Sequence, residues 1–284
     1  MLARAALAVL LALAACGQPA GDWPDPAPAL WEVTGPGGQH GWLFGTIHSL
    51  PEGARWRTKR VDDALAKSNV LVVEIANLND AAAAKAAFDK LATTPGLPPL
   101  SQRVRPQDRP ALAAFLKQAG MGDDAFPNTE TWAAALQLAN AARRRPPVTG
   151  VDRELIAGAK RVVGLETFAS QYGVFDALSP EEQADLLMSQ AVDSAGAEPD
   201  KQLVDWLTGD IAALKRDSAA GVLGDPELRE ALQTRRNEAW IGPIVLLLAA
   251  HQQPFVAVGE GHMFGEESLP DLLKARGYTV KRVQ

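Results

Sequence analysis

The sequence has little cysteine and little positive charge, and each shortage excludes a class of protein. Its 284 residues include one cysteine, which excludes a disulfide framework and a cysteine-based metal cluster. With 28 basic and 34 acidic side chains, the net charge of −6 argues against a general nucleic-acid-binding surface. Beyond the N-terminus, no apolar run is long enough to cross a bilayer. The 47% of hydrophobic residues nevertheless suffices for a sizeable core.

The N-terminus has the pattern of a secretion signal. Residues 1–15 carry one charged side chain, Arg4, followed by alanine, leucine and valine. The segment ends in Leu13-Ala14-Ala15-Cys16-Gly17, which resembles a bacterial lipobox and predicts cleavage before Cys16 and lipidation of that residue. The alternative is an ordinary signal peptide with an incidental cysteine. Acyl chains would anchor the protein to the cell envelope, and Gly17 predicts the outer membrane, with the periplasmic face as the expected side.

After a tether over residues 16–29, the sequence predicts one α/β domain over residues 30–284. Apolar segments typical of strands alternate with helical patterns. The predicted strands are 30–33, 41–47, 70–75, 148–151, 161–165, 256–259 and 278–283. Because a strand–helix–strand order favours parallel pairing, we predict a central mixed, largely parallel sheet built from both ends of the chain, with inserted helical layers.

Helical patterns fill the middle of the chain, with breaks at prolines and glycines. Asn79 or Asp80 is suited to cap an alanine-rich helix. The run Arg143-Arg144-Arg145 ends another helix and is predicted to be a solvated cap. We expect the helical segments 100–145 and 180–250 to shape the entrance to a substrate site.

Two short apolar segments, near opposite ends of the domain, finish in the same Gly-x-x-His pattern. These are Gly45-Thr46-Ile47-His48 and Gly259-Glu260-Gly261-His262. Functional groups of open α/β sheets gather beyond the carboxyl ends of parallel strands, so both histidines are predicted to face one crevice. Strand alternation predicts that each histidine shares a face with the second residue of its motif, Thr46 or Glu260.

Three carboxylates are candidates to join these histidines: Glu74, Glu166 and Glu260. Glu74 and Glu166 each interrupt an apolar strand, where an unpaired carboxylate is costly. The structural alternative for each is a carboxylate tied to an arginine or to helix N–H groups. The remaining histidines, His40 and His251, are expected to have no role at the site. Two histidines and a carboxylate form a ligand set that leaves positions open for water and substrate.

Taken together, these motifs resemble the TraB/PrgY/GumN family, which is related to the Tiki metalloproteases and, more distantly, to erythromycin-esterase-like and ChaN-like proteins. The resemblance covers about residue 30 to the end of the chain. The further residues that carry it are Gly150-Val151-Asp152, Gly164-Leu165-Glu166-Thr167, Gln171, Arg236-Asn237, Trp240 and Gly277-Tyr278-Thr279-Val280.

The resemblance implies an α/β fold in which His48, His262 and Glu74 share one site. They would be ligands of a divalent metal ion, with Mn, Co or Zn as plausible metals, or acid–base groups. Activity in the Tiki branch is that of a divalent-metal-dependent peptidase. By the same resemblance, Arg236 stabilises an oxyanion or holds a carboxylate, and Glu166 and Asn237 are second choices as catalytic residues.

The sequence thus predicts a lipid-anchored envelope hydrolase, metal-dependent, that cleaves a peptide or other amide or ester bond. Water held between His48, His262 and a carboxylate would be the nucleophile. Three alternatives stay open: a non-catalytic protein that sequesters a peptide or small ligand, a metal-free enzyme with a histidine as general base, and a haem-binding protein. The expected partners are the membrane, through the lipid, and a peptide or small-molecule substrate, with no nucleic acid.

Overall fold

The computed structural model describes residues 23–143, 149–196 and 200–284. The predicted signal segment and Cys16 lie outside these residues. The last residues of the predicted tether lie against the domain, since Ala27 N–H donates to the Leu207 carbonyl at 2.6 Å and Ala29 is buried. No helix in the described ranges has both the length and the apolar composition needed to cross a membrane.

In the described residues, a six-stranded sheet with the order β4-β3-β5-β2-β1-β6 forms the centre of the domain. The strands are β1 Leu30–Thr34, β2 His40–Thr46, β3 Val70–Ile75, β4 Val162–Glu166, β5 Pro254–Gly259 and β6 Thr279–Arg282. Strands β2, β5, β3 and β4 are parallel, whereas β1 is antiparallel to both of its neighbours. The predicted mixed, largely parallel sheet built from both ends of the chain is confirmed.

Helices surround the sheet and fill the middle of the chain, as predicted. They are α1 Lys59–Lys67, α2 Ala81–Leu91, α3 Arg109–Ala119, α4 Thr131–Ala141, α5 Val151–Gly158, α6 Phe168–Asp176, α7 Pro180–Ala195, α8 Lys201–Thr208, α9 Ile211–Ala220, α10 Pro226–Arg229, α11 Arg235–Ala249 and α12 Leu269–Ala275. A π-helical turn, Glu230–Thr234, joins α10 to α11. Of the two predicted caps for α2, Asp80 is the one that accepts a hydrogen bond from Ala83 N–H, at 2.9 Å.

Two apolar clusters support these layers. One surrounds the sheet and includes Phe44, Phe255 and Trp240. The other lies among α3, α4 and α7, around Phe115 and Trp132. The inserted helices therefore have a hydrophobic core of their own, which holds them in place beside the carboxyl ends of the strands.

The predicted strand over residues 148–151 is wrong. Val148 lies outside the described residues, Thr149 makes an isolated bridge with Leu50, and helix α5 begins at Val151. A side chain at Gly150 would overlap the backbone of His48, so only glycine permits this close approach. The segment therefore begins a helix directly beside His48.

The predicted strand alternation is wrong at the second Gly-x-x-His motif. Strand β5 ends at Gly259, after which residues Glu260–Met263 form a 3₁₀ turn, so Glu260 and His262 do not belong to the strand. At the first motif, strand β2 ends at Thr46 and His48 follows it. Thr46 and His48 still share a side, because both contact the Asp152 carboxylate.

Candidate functional site

Parallel strands bring four polar side chains to one edge of the sheet. His48 follows β2, His262 follows the adjacent β5, Glu74 lies near the end of β3, and Glu166 ends β4. A Cβ atom placed on Gly259 would lie 3.2 Å from Glu74 Oε1, 3.5 Å from His48 Nε2 and 3.8 Å from His262 Cδ2. The absent side chain of Gly259 thus leaves a small space that Glu74 and both histidines surround.

His48 is held by a buried carboxylate. Its Nδ1 lies 3.0 Å from Asp152 Oδ2, and Asp152 Oδ1 accepts a hydrogen bond from the Thr46 hydroxyl at 2.7 Å. The ionised Asp152 can only accept, which places a proton on His48 Nδ1 and leaves Nε2 directed towards the space above Gly259. The side chain of Asp152 is 7% exposed, whereas that of His48 is 66% exposed. Solvent therefore reaches the ring of His48.

Neighbouring carboxylates determine the protonation of His48. Burial within the crevice lowers the pKa of His48, but the hydrogen bond and charge of Asp152, aided by Glu74 and Glu260, raise the pKa to about 9. In the Glu260 carboxyl, burial has the largest effect and raises the pKa to about 7. Its Oε1 accepts from the Gln202 amide at 2.6 Å, while its Oε2 is buried with no hydrogen-bond partner among the described residues.

His262 lies in a buried and neutral environment. Asn237 Nδ2 donates to the Glu267 carbonyl at 2.9 Å, which orients the amide so that Asn237 Oδ1 accepts from His262 Nδ1 at 2.7 Å. The other nitrogen, Nε2, then accepts from Arg236 Nη1 at 3.3 Å. Burial lowers the pKa of His262 to about 3, and the charges of Arg236 and His48 act in the same direction against Glu74. His262 is therefore uncharged at neutral pH.

Arg236 joins the other members of the cluster. Its Nε and Nη2 donate to Glu166 at 2.9 and 2.8 Å, and Nη2 also donates to Glu74 Oε2 at 2.7 Å. Its Nη1 donates to the Leu232 carbonyl at 3.1 Å and to His262. These contacts use all five N–H groups of a guanidinium. Of the two roles implied for Arg236, this arrangement shows it holding carboxylates and leaves no N–H group for a substrate oxyanion.

Glu74 is buried but fully supported by donors. Its Oε2 accepts from Arg236 and from the Gln171 amide at 2.7 Å, and its Oε1 accepts from Gly259 N–H at 2.8 Å. Burial opposes ionisation of Glu74, but the charge of Arg236, aided by His48 and the Gly259 hydrogen bond, lowers the pKa to about 2. Oε2 of Glu74 is thus bound to an arginine, as the structural alternative for this residue expected. Oε1 is bound to the Gly259 N–H instead and faces the open space.

Glu166 and Asn237, the second choices from sequence, have supporting positions. Glu166 forms a bidentate ion pair with Arg236 and also accepts from Trp240 Nε1 at 3.2 Å. Asn237 is fully buried, and its Oδ1 accepts from Nδ1 of the His262 ring. Both residues orient groups that lie closer to the open space, and neither faces that space itself.

The predicted metal ligands are only partly assembled. His48 Nε2 and Glu74 Oε1 face the same space, but His262 Nε2 is occupied by the cationic Arg236. Across the described ranges, no three His, Cys, Asp or Glu side chains are arranged to hold a metal ion. In this arrangement the three residues do not fit a metal centre, because His262 would first have to separate from Arg236.

Sequence reasoning assigned no role to Asp152 or Gln171, although both contact the predicted site residues. Asp152 is 104 positions from His48 and Gln171 is 97 positions from Glu74, so no local spacing signals either contact. The two histidines expected to lie elsewhere do so: His40 bonds to Glu32 at 2.6 Å, and His251 is exposed after α11.

Comparisons with known proteins give one match. The model of the TraB/PrgY/gumN family matches residues 29–282, which include every residue of the cluster. No curated protein and no solved structure matches the chain.

Proposed function

The chain belongs to the TraB/PrgY/gumN family, and from this membership and the geometry of the site we propose that it is an envelope hydrolase that cleaves a peptide or other amide or ester bond. One observation carries the proposal. His48 Nε2 and the ionised Glu74 face the same open space above Gly259, while Asp152 fixes the other nitrogen of His48. A solvent-reached imidazole oriented by a buried carboxylate is the arrangement of a general base.

In the proposed reaction, Nε2 of the deprotonated His48 ring takes a proton from the water molecule that attacks the substrate carbonyl carbon. The new carbon–oxygen bond forms as the carbonyl electrons move to oxygen, and Asp152 and Glu74 stabilise the imidazolium. Collapse of the tetrahedral intermediate breaks the bond to the leaving nitrogen or oxygen, which takes the proton from His48. Arg236 acts indirectly, by holding Glu74 in its ionised form.

The His48→Ala variant of the full-length chain tests this role. We expect turnover of a peptide library to fall about 100- to 10,000-fold, which is the usual contribution of general-base catalysis. Thermal unfolding verifies that the variant folds, and its midpoint should fall, because the variant loses the contact between the protonated ring and Asp152. The matched control is His40→Ala, which removes a histidine outside the site and should keep full turnover. Equal turnover in both variants would overturn the proposal, and peptide binding without turnover in the native protein would favour a sequestering protein.

The divalent metal ion stays a prediction from the family resemblance. Elemental analysis of untagged protein, compared with the His48→Ala/His262→Ala double variant, tests the prediction. Near-stoichiometric Mn, Co, Zn or Fe in the native protein alone supports a metal site. No metal in either protein, even after divalent ions are added, rejects it and leaves the proposed role of His48 intact.

The anchor is part of the same proposal. A lipid on Cys16 would hold the domain at the outer membrane, on the periplasmic face, through residues 17–22. A hydrolase in this position would act on peptides or small molecules within the envelope.

A further inference from the structure

A cavity of about 800 Å³ lies next to the reactive cluster. It is bounded by α6, the start of α7, α10 and α11, and two of its lining residues, Glu166 and Arg236, belong to the cluster. Its volume lies within the range of about 300–1,000 Å³ that is typical of ligand pockets. The Arg236 guanidinium would therefore lie between a ligand in this cavity and the Glu74 carboxylate.

The cavity has apolar walls. Val174 of α6 and the residues just after this helix, Ala177 and Leu178, line the cavity. Ala231 and Ala239 line it from the helices that follow α10. Ala177 and Ala239 are also exposed, so the cavity opens to solvent. Walls of this kind favour an unbranched aliphatic chain.

The rim of the cavity is acidic. Four carboxylates line it against two guanidinium groups, an excess of two negative charges. Arg236 is committed to Glu74 and Glu166, and Arg235 pairs with Glu230 at 2.9 Å. Of the remaining two, Glu182 accepts a hydrogen bond from Ser179 N–H at 2.5 Å at the start of α7, so Glu227 is the rim carboxylate without an ion pair or hydrogen bond among the residues that the structure describes.

We propose that this cavity binds a lysine or arginine side chain of a peptide substrate. Such a side chain has an aliphatic stem that suits the apolar walls and a cationic end that suits the acidic rim. The shared residue Arg236 places the cavity beside Glu74. The inference rests on the proposed hydrolase function and names its substrate class.

The structure offers a way to fill the cavity from one side. Gly173 lies in α6 and lines the cavity, and a Cβ atom there would meet no atom within 4 Å. The Gly173→Leu variant should therefore fold, because replacing a helical glycine is favourable by up to about 1 kcal/mol. Gly242 is the matched control: it is an exposed glycine of α11 with equally open space, outside the cavity.

The experiment measures binding separately from turnover, in the His48→Ala full-length protein by fluorescence anisotropy. The probes are two labelled alanine-based peptides, one carrying lysine and the other norleucine, which has a similar stem without the charge. We expect the lysine peptide to bind about tenfold more tightly. When Gly173→Leu is added to this protein, the lysine peptide should no longer bind, whereas it should still bind when Gly242→Leu is added. Glu227→Gln should weaken lysine binding about threefold, whereas Glu238→Gln, an exposed change outside the cavity, should have no effect.

Equal affinity for the two peptides, no binding of either, or undiminished binding in Gly173→Leu would overturn the inference. If Gly173→Leu fails to fold, Glu227→Gln decides, and an unchanged preference for lysine there counts against the acidic rim. Because none of these readouts requires turnover, failure of the hydrolase proposal would appear separately, as lysine-peptide binding without cleavage by the native protein.

Discussion

His48 and His262 both follow the carboxyl end of a parallel strand, in motifs with the same spacing of glycine and histidine, yet their surroundings differ. The His48 side chain is 66% exposed, whereas residue His262 is 6% exposed. On Nδ1, His48 has the carboxylate of Asp152 and His262 has the amide of Asn237. The pKa is raised to about 9 in the first histidine and lowered to about 3 in the second. The partner of Nδ1 and the depth of the ring therefore distinguish the proposed general base, His48, from the neutral and buried His262.

The two histidines also link stability to pH in opposite ways. Protonated His48 stabilises the folded state below about pH 6.5, and this contribution is lost as the pH rises through about 9. Neutral His262 stabilises the folded state above about pH 6.5, and this contribution is lost as the pH falls towards about 3. The cluster as a whole is therefore expected to be most stable near neutral pH.

The largest expected effect comes from removing the Arg236 guanidinium, which lies beside His262 and between two buried carboxylates. Arg236→Ala leaves Glu74 and Glu166 buried without their cation, and breaking a buried pair in this way costs about 3–5 kcal/mol. Urea unfolding measures the loss. The substitution also removes a positive charge from beside His262, so the pKa of that ring should rise and the contrast between the two histidines should shrink.

Arg235→Ala is the matched control for this variant. Arg235 is exposed and pairs with Glu230 on the surface, where an ion pair contributes about 0–1 kcal/mol. Equal urea midpoints for the two variants would show that Arg236 does not stabilise the buried carboxylates Glu74 and Glu166.

A smaller effect should follow from giving His262 the kind of partner that His48 has. Asn237→Asp keeps an acceptor for His262 Nδ1 but loses the donor to the Glu267 carbonyl, and it adds a buried charge. An unsatisfied buried group costs about 1–3 kcal/mol, so stability should fall by about that amount. The new carboxylate should raise the pKa of His262, which an NMR titration of its ring measures.

Asn140→Asp, on the exposed side of α4, makes the same chemical change without a buried partner. It should alter stability by less than about 0.5 kcal/mol. A pKa of His262 that stays near its native value in Asn237→Asp would show that depth alone, and not the amide, sets the contrast between the two histidines.

Much of the sheet was predictable because its evidence is local. Apolar runs that alternate with helical patterns indicated the parallel strands, and repeated Gly-x-x-His motifs indicated where two strands end. Segment 148–151 misled the prediction because Val148 and Val151 flank a threonine, as in a strand. The glycine there instead permits close approach to His48.

The supporting contacts of the site were less predictable. Asp152 joins His48 across 104 positions, and Arg236 joins Glu74 across 162. No periodicity in the sequence records such pairs, because only the packing of helices over the strand ends creates them. The same holds for the cavity beside Gly173, whose open side depends on how α6 faces α11.

The smallest expected effect concerns the pKa of His48 and the pH dependence of activity. If His48 is the general base, kcat/KM should rise with pH through about 9, because only the deprotonated ring accepts a proton. Asp152→Asn removes the charge that raises the pKa of His48, so the rise should move to lower pH. At pH 7 the larger fraction of free base opposes the loss of the carboxylate that fixes the Nδ1 proton, so the measured quantity is the pH at which kcat/KM rises and not the size of the activity. Asp63→Asn, which affects only an exposed pair with Lys59, should leave the profile in place. A pH profile that is the same in Asp152→Asn and native protein would show that His48 is not the group that titrates.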